Sequence, residues 1–227
     1  MKLIYEGKTK DVYEAEDGNY ILKFKDDVTG VDGKFDPGAN KVGLSIEGMG
    51  RSVVKMTKFF YEKLNAMDIP THYIESNLEE ATMKVLPATM FGHGVEVICR
   101  YRAVGSFMRR YGLYAKEGQK LDSYIEVTLK DDGRNDPLIT AEGLEMLNIM
   151  TKEEHDVLVD LTRDISAFVR DELAKKGAEL YDIKLEFGRV GEDSHIALID
   201  EISAGSMRAY KDGVKLEPFE LEELLFS

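Results

Sequence analysis

Asp182-Ile183-Lys184-Leu185-Glu186-Phe187-Gly188 alternates charge and hydrophobe without a break. Asp182, Lys184 and Glu186 fall on one face of an extended chain, Ile183, Leu185 and Phe187 on the other. Period-two alternation predicts a strand, here with one apolar face and one face made only of charges. Leu198-Ile199-Asp200-Glu201-Ile202-Ser203 answers it as a second strand, after the polar connection Gly191-Glu192-Asp193-Ser194-His195. With those residues as the loop, Glu186 faces Asp200 across a hairpin, with Cβ atoms about 5 Å apart. Two carboxylates so placed, without a buried counter-charge, repel. The pair therefore calls for a cation, and Mg²⁺ carrying a nucleotide phosphate suits hard oxygen ligands.

Before this pair lies the longest helical pattern, residues 152–176. Thr151 with Glu154 fits a capping box and Gly177 fits a left-handed stop. The stripe Val157, Leu158, Leu161, Ile165, Phe168, Val169 and Leu173 is core. Further back, Val95 to Tyr101 reads as a strand, followed by a short helix opened by Gly105-Ser106 and closed by Gly112. The segment 86–94 holds Pro87, Gly92 and Gly94, shows no helical period, and reads as a hinge. The first part, residues 1–90, reads as β-rich: short strands near 1–5, 11–15 and 20–25, then an amphipathic helix through Val53, Val54, Phe59, Phe60 and Leu64. Residues 26–37 form a polar, Gly-rich stretch that reads either as surface loop or as a mobile lid. The expected organisation is α+β in two lobes, a β-rich lobe over 1–90 and a larger α+β lobe over 91–227.

Composition narrows the function. Lys and Arg number 30 against 43 Asp and Glu, a net charge of −13, which argues against general nucleic-acid binding. The one cysteine, Cys99, lies in an apolar run and reads as a buried structural thiol, suited to a reducing cytosol. No stretch approaches the length of a membrane span, and Leu3 and Tyr5 begin a strand pattern at once. The expectation is a soluble cytoplasmic protein. His72, His93, His155 and His195 have no metal-ligand spacing and read as surface or loop residues. No nucleophile elbow is present, so a nucleophilic hydrolase is disfavoured.

Two further constellations carry chemistry. In Glu6-Gly7-Lys8-Thr9-Lys10 the alternate lysines Lys8 and Lys10 share a strand face and suggest an anion, although a solvated lysine pair fits equally. It is not a P-loop, because the motif's first glycine and its helix are missing. Arg100-Tyr101-Arg102-Ala103-Val104-Gly105-Ser106 ends a strand with two arginines and starts a helix with a serine, an arrangement suited to phosphate. Arg109 and Arg110, further along that helix, read as solvated.

Residues 5–13, Arg100 to Ser106, Asp182 to Gly188, and Asp200-Glu201 together resemble SAICAR synthetase, in that family's order and over nearly the whole chain. The resemblance implies two α+β lobes like those of protein kinases and ATP-grasp enzymes, with ATP in the cleft. It implies an ATP-dependent ligase that joins the carboxylate of carboxyaminoimidazole ribotide (CAIR) to the amine of L-aspartate, with Mg²⁺ and, in the family, a homodimer. Carried over, Lys8 and Lys10 match the lysines on the ATP phosphates, and Lys84 with residues 90–96 matches the adenine-binding segment. Glu186 and Asp200 match the nucleotide and metal carboxylates. Arg100, Ser106 and Arg208 match residues around the CAIR phosphate, and Asp182 and Lys184 match positions beside the imidazole carboxylate. The run Ser203-Ala204-Gly205-Ser206-Met207-Arg208 departs from the family, which often has Asp where this chain has Gly205.

A carboxylate is a poor acylating agent, so ATP must first convert it to an acyl phosphate. Phosphoryl transfer asks for positioning and charge neutralisation rather than an enzyme nucleophile, and the chain offers lysines, carboxylates and arginines for those tasks. A small-molecule kinase on related lobes and a nucleotide-binding regulator without turnover are the alternatives.

Overall fold

The computed structural model describes residues 1–39 and 41–227. The chain divides into two compact units, Met1–Met90 with Phe187–Gly205, and Phe91–Glu186 with Ser206–Ser227. The segment Phe187–Gly205, which the sequence reading left in the second lobe, groups with the first. The cause is one long strand, β12 (Glu179–Val190), whose residues 188–190 pair with residues 88–90.

In the first unit, β1 (Lys2–Glu6), β2 (Lys10–Glu14) and β3 (Tyr20–Phe24) form an antiparallel sheet with β7 (Tyr73–Asn77) and β8 (Thr82–Val85), in the order β1-β2-β3-β8-β7. Helix α1 (Met49–Ala66) packs on this sheet through Val53, Val54, Met56, Phe60, Tyr61 and Leu64. Its first backbone N–H groups are capped from a distance: Asp26 carboxylate oxygens accept from Gly48 N at 3.1 Å and Gly50 N at 2.9 Å. Tyr61 Oη donates to the carbonyl of Ile199 at 2.9 Å, which ties α1 to β13 (His195–Ile199). Residues 70–72 clasp the same strand, with Leu198 N donating to Pro70 O and His72 N to Leu198 O.

The polar stretch at 26–37 differs from its reading as an unpacked loop. It contains β4 (Asp27–Val31) and β5 (Lys34–Phe35), and β6 (Val42–Ser45) pairs on the other side of β4. Asp32 and Gly33 both have positive φ, 51° and 73°, the two-residue turn whose twist suits a hairpin. Val28 and Phe35 are buried and anchor it. An Asp-Gly pair between short strands is a sequence signal for this turn.

The second unit is built on a sheet in the order β11-β10-β12-β14-β15, with β10 at Val95–Arg102, β11 at Lys120–Leu129, β14 at Met207–Lys211 and β15 at Val214–Lys215. Helices α2 (Ser106–Tyr111), α3 (Ala141–Met146), α4 (Lys152–Ala174) and α5 (Pro218–Phe226) complete it. The capping box at Thr151 and Glu154 forms, and Gly177 has φ 75°. Helix α4 packs on β10 and buries Leu158, Ile165, Val169 and Leu173, while Val157 is exposed rather than core. The strand residues Val97, Cys99, Val127, Ile183, Leu185, Met207 and Ala209 are buried as well. Each fully buried aliphatic side chain of this kind stabilises the fold by about 1.5–3 kcal/mol. Cys99 is a free buried thiol, its pKa pushed up by burial.

Candidate active site

The alternation read at 182–187 recurs on the neighbouring strands. Arg100 stands opposite Asp182, Ile98 opposite Lys184, and Glu96 opposite Glu186. On the other side of β10, Tyr124 faces Arg100, Glu126 faces Ile98, and Thr128 faces Glu96. Arg208 of β14 faces Asp182. Residues opposite one another share a sheet face. One face of the sheet is therefore charged and polar apart from Ile98, while the aliphatic residues between them form the other.

The charges on this face bind one another in strict alternation. Arg110 Nη2 donates to Glu126 Oε2 at 2.5 Å, and Arg100 Nε donates to the same oxygen at 2.8 Å. Arg100 Nη1 donates to Asp182 Oδ2 at 2.7 Å, and Arg208 Nη1 donates to that oxygen at 2.8 Å. Arg100 Nη2 donates to Ser106 Oγ at 2.7 Å. Arg100 is 1% exposed and Glu126 4%. Charges this deep persist only when paired and hydrogen-bonded. Gly105 makes room for the end of the chain of charges: its φ of 58° and ψ of −129° suit glycine, and a Cβ there would lie 2.9 Å from both Nη atoms of Arg208.

Farther along the same face, Lys184 Nζ donates to Glu96 Oε1 at 2.7 Å. Burial pushes the Lys184 pKa down most strongly, but Glu96 and then Glu186 outweigh it and leave the ammonium above its ordinary value. Lys130 Nζ donates to both Glu186 oxygens, at 2.7 and 2.9 Å. Glu186 thus has a counter-charge, contrary to the sequence argument that set it against Asp200 with none. Lys130 lies 56 residues away in sequence. Tyr124 has its pKa pushed up to about 12, by burial first and then by the neighbouring Glu126 charge.

In the first unit, Lys10 of β2 forms an ion pair with Asp200. Lys8 lies in the bend before β2, so it and Lys10 do not share a strand face. Gly7 makes its close approach to the chain itself, its N–H donating to Lys10 O at 3.0 Å. Strand β13 ends at Ile199; Asp200 lies just past it with φ 71°, outside the ladder that the sequence reading gave it. His72, expected at the surface, is 4% exposed. Burial lowers its pKa to about 4, against the opposing pull of Asp200, so the imidazole is neutral. Lys84 pairs with Asp17 at 2.6 Å, and this bond raises its pKa. Glu201 Oε1 accepts from Ser203 Oγ at 2.9 Å and would lie 2.8 Å from a Cβ at Gly205, so Glu201 fills the space beside that glycine.

Of the residues singled out from the sequence, Arg100, Ser106, Asp182 and Arg208 come together, with Lys184 and Glu186 on the same face; Lys10 meets Asp200. Glu126 was missed; Arg110, read as solvated, instead bonds the buried Glu126, and His72, read as a surface or loop residue, is buried. Tyr124, Glu126 and Thr128 alternate with Ile125, Val127 and Leu129, the same signal that exposed 182–187. Arg110 had no such signal, because it stands on helix α2 and its partner lies on β11.

The first unit pairs a lysine with a carboxylate and the second carries an arginine-rich sheet face, both suited to anionic ligands. The chain matches the SAICAR synthetase family over residues 3–218. A relative from Clostridium tetani named phosphoribosylaminoimidazole-succinocarboxamide synthase is 67% identical over 225 residues, which cover 99% of each chain. A solved SAICAR synthetase superposes with a TM-score of 0.84 at 32% identity, covering 98% of each chain. Another, in complex with ADP, gives 0.85 at 26% identity, covering 98% of this chain and 95% of that one. The chain belongs to the SAICAR synthetase family, carbon–nitrogen ligases of purine biosynthesis.

Proposed function

We propose that the chain condenses CAIR with L-aspartate at the expense of ATP, giving SAICAR, ADP and phosphate through an acyl phosphate. The observation that carries this reading is the charged sheet face, where Asp182 lies between Arg100 and Arg208 beside Ser106. Arg208 and Ser106, with Arg100 behind them, receive the ribose phosphate of CAIR, since planar guanidinium groups match phosphate. Asp182 and Lys184 stand where the imidazole carboxylate is activated; the Lys184 ammonium, kept charged by Glu96 and Glu186, orients that anion. Lys8 and Lys10 take the ATP phosphates, and Lys84 with residues 90–96 lies at the adenine.

Glu186 in the second unit and Asp200 in the first are each a carboxylate that the family resemblance offers to Mg²⁺. The donor chemistry fits: both are hard oxygen ligands, and each now faces an ammonium group, Lys130 and Lys10. No group of three or more His, Cys, Asp or Glu side chains able to hold a metal occurs among the described residues. When bound, the ion neutralises phosphate charge during transfer. Cytoplasmic location and a homodimer complete the reading, supported by the single buried thiol and the family resemblance. Among the described residues no helix is long and apolar enough to cross a membrane.

ADP release measured with CAIR, with and without L-aspartate, tests the proposal. SAICAR formed only when ATP, CAIR and L-aspartate are all present is the expected result. A stable phosphorylated product without aspartate would make the protein a kinase, and nucleotide binding without ADP release would make it a regulator.

A further inference from the structure

Glu126 stands apart from every residue assigned above, yet the charged face is organised around it. It is the only carboxylate in the alternating array that joins a strand arginine, Arg100, to a helix arginine, Arg110. Both bonds fall on Oε2, and among the described residues Oε1 is buried without a hydrogen-bond partner. Glu126 offsets the buried charge of Arg100, but a buried carboxylate with one oxygen unsatisfied is costly. Its geometric effect is specific. The donors of an arginine lie in one rigid plane, so holding Nε at Glu126 and Nη1 at Asp182 fixes where Nη2 points. Nη2 lies against Ser106, the residue that the proposed function places at the phosphate.

We propose that Glu126 is a positioning residue for the phosphorylated substrate: it fixes the Arg100 guanidinium plane and draws Arg110, and with it helix α2, onto the sheet. This rests on the reading that Arg100, Ser106 and Arg208 meet the phosphate of CAIR. Positioning and simple charge make opposite predictions. The array of Arg110, Glu126, Arg100, Asp182 and Arg208 has one positive charge in excess, and Glu126→Gln adds another. If charge alone governed binding, the variant would hold an anionic substrate more tightly. If Glu126 positions the arginines, the variant holds it more weakly despite the added charge.

Steady-state KM values for CAIR and ATP in the wild type, E126Q and E126Q/R110M distinguish the two, with thermal melting as the check on folding. The double variant removes one charge of each sign and so relieves the cost of unpaired arginines. The expected result is a KM for CAIR raised roughly tenfold in E126Q, the size of one lost charge-assisted contact, with the ATP value unchanged. The double variant should recover melting temperature but keep the raised KM for CAIR. CAIR bound as tightly as in the wild type or more so by E126Q, or a wild-type KM regained together with stability in E126Q/R110M, would overturn the proposal. A wild type that forms no SAICAR would overturn the function reading and this inference together, whereas normal wild-type turnover with an unchanged E126Q overturns this inference alone.

Discussion

The two units hold their charged groups in different ways. On the sheet face of the second unit, Arg100, Glu126, Asp182 and Arg208 stand inside strands, their neighbours set by ladder register. In the first unit the corresponding groups stand at the margins of strands. Lys8 is in a bend, Lys10 opens β2, and Asp200 follows the end of β13 in a left-handed conformation. Groups fixed by register are preorganised for a ligand of one shape. Groups at strand margins can exchange partners with little disturbance to the sheet. Under the proposed function, the contrast fits a ribose phosphate that the reaction leaves unchanged on the first arrangement and a nucleotide whose terminal phosphate leaves on the second.

Asp182→Asn should break the contrast most severely. It leaves Arg100 and Arg208 without the carboxylate they share, and unpairing buried charge costs about 3–5 kcal/mol. For a chain of this size that is a fall of roughly 10 °C in melting temperature, and turnover should be lost even below it. A melt unchanged within a degree would mean that the face is far less tightly coupled than its hydrogen bonds indicate.

His72 tests the first unit through pH. Its ordinary pKa of 6.5 falls to about 4 in the folded chain. The unfolded chain takes up this proton below pH 6.5, but the folded chain does not until near pH 4. The stabilisation is therefore whole above pH 6.5 and declines as pH falls toward 4, by about 3 kcal/mol in all. Denaturant titrations between these limits should show that slope in the wild type and a shallower one in His72→Phe. Identical slopes would place the titrating group elsewhere.

Gly105→Ala is a smaller perturbation of the second unit. Backbone strain of this kind costs about 1–3 kcal/mol, and the new methyl group displaces Arg208. A raised KM for CAIR with an unchanged KM for ATP is expected, measured beside the melt. The smallest effect belongs to Lys84→Met in the first unit: its partner Asp17 is solvent-exposed, and surface ion pairs contribute little. The melting temperature should not move, and any change should appear in nucleotide affinity alone.

The sequence told most where the pattern was local. Alternation at 182–187 revealed both the strand and its charged face, the capping box at Thr151 revealed the start of α4, and the motif segments revealed the family. What it hid depends on register or on chain reversal. Nothing near Glu186 points to Lys130 as its cation, because the two stand 56 residues apart, with helices α3 and α4 between them. His72 looked like a loop residue because its burial comes from the clasp between residues 70–72 and β13. The apparent need for a cation at Glu186 and Asp200 was inferred from missing counter-charges, and those were supplied by residues remote in sequence.

The central claim is that the arginine face binds the phosphorylated substrate separately from the lysines that bind ATP. Arg100→Ala is a poor probe, since it would strand two buried carboxylates and mix stability with binding. Arg208, with 11% of its side chain exposed, can be changed more safely. Titration calorimetry of Arg208→Gln with CAIR and, separately, with ATP and magnesium gives the most direct reading. CAIR weakened by about ten- to a hundredfold, the value of one or two charge-assisted contacts, with ATP affinity unchanged, is the predicted result. Equal weakening of both ligands would contradict the division of labour between the two regions.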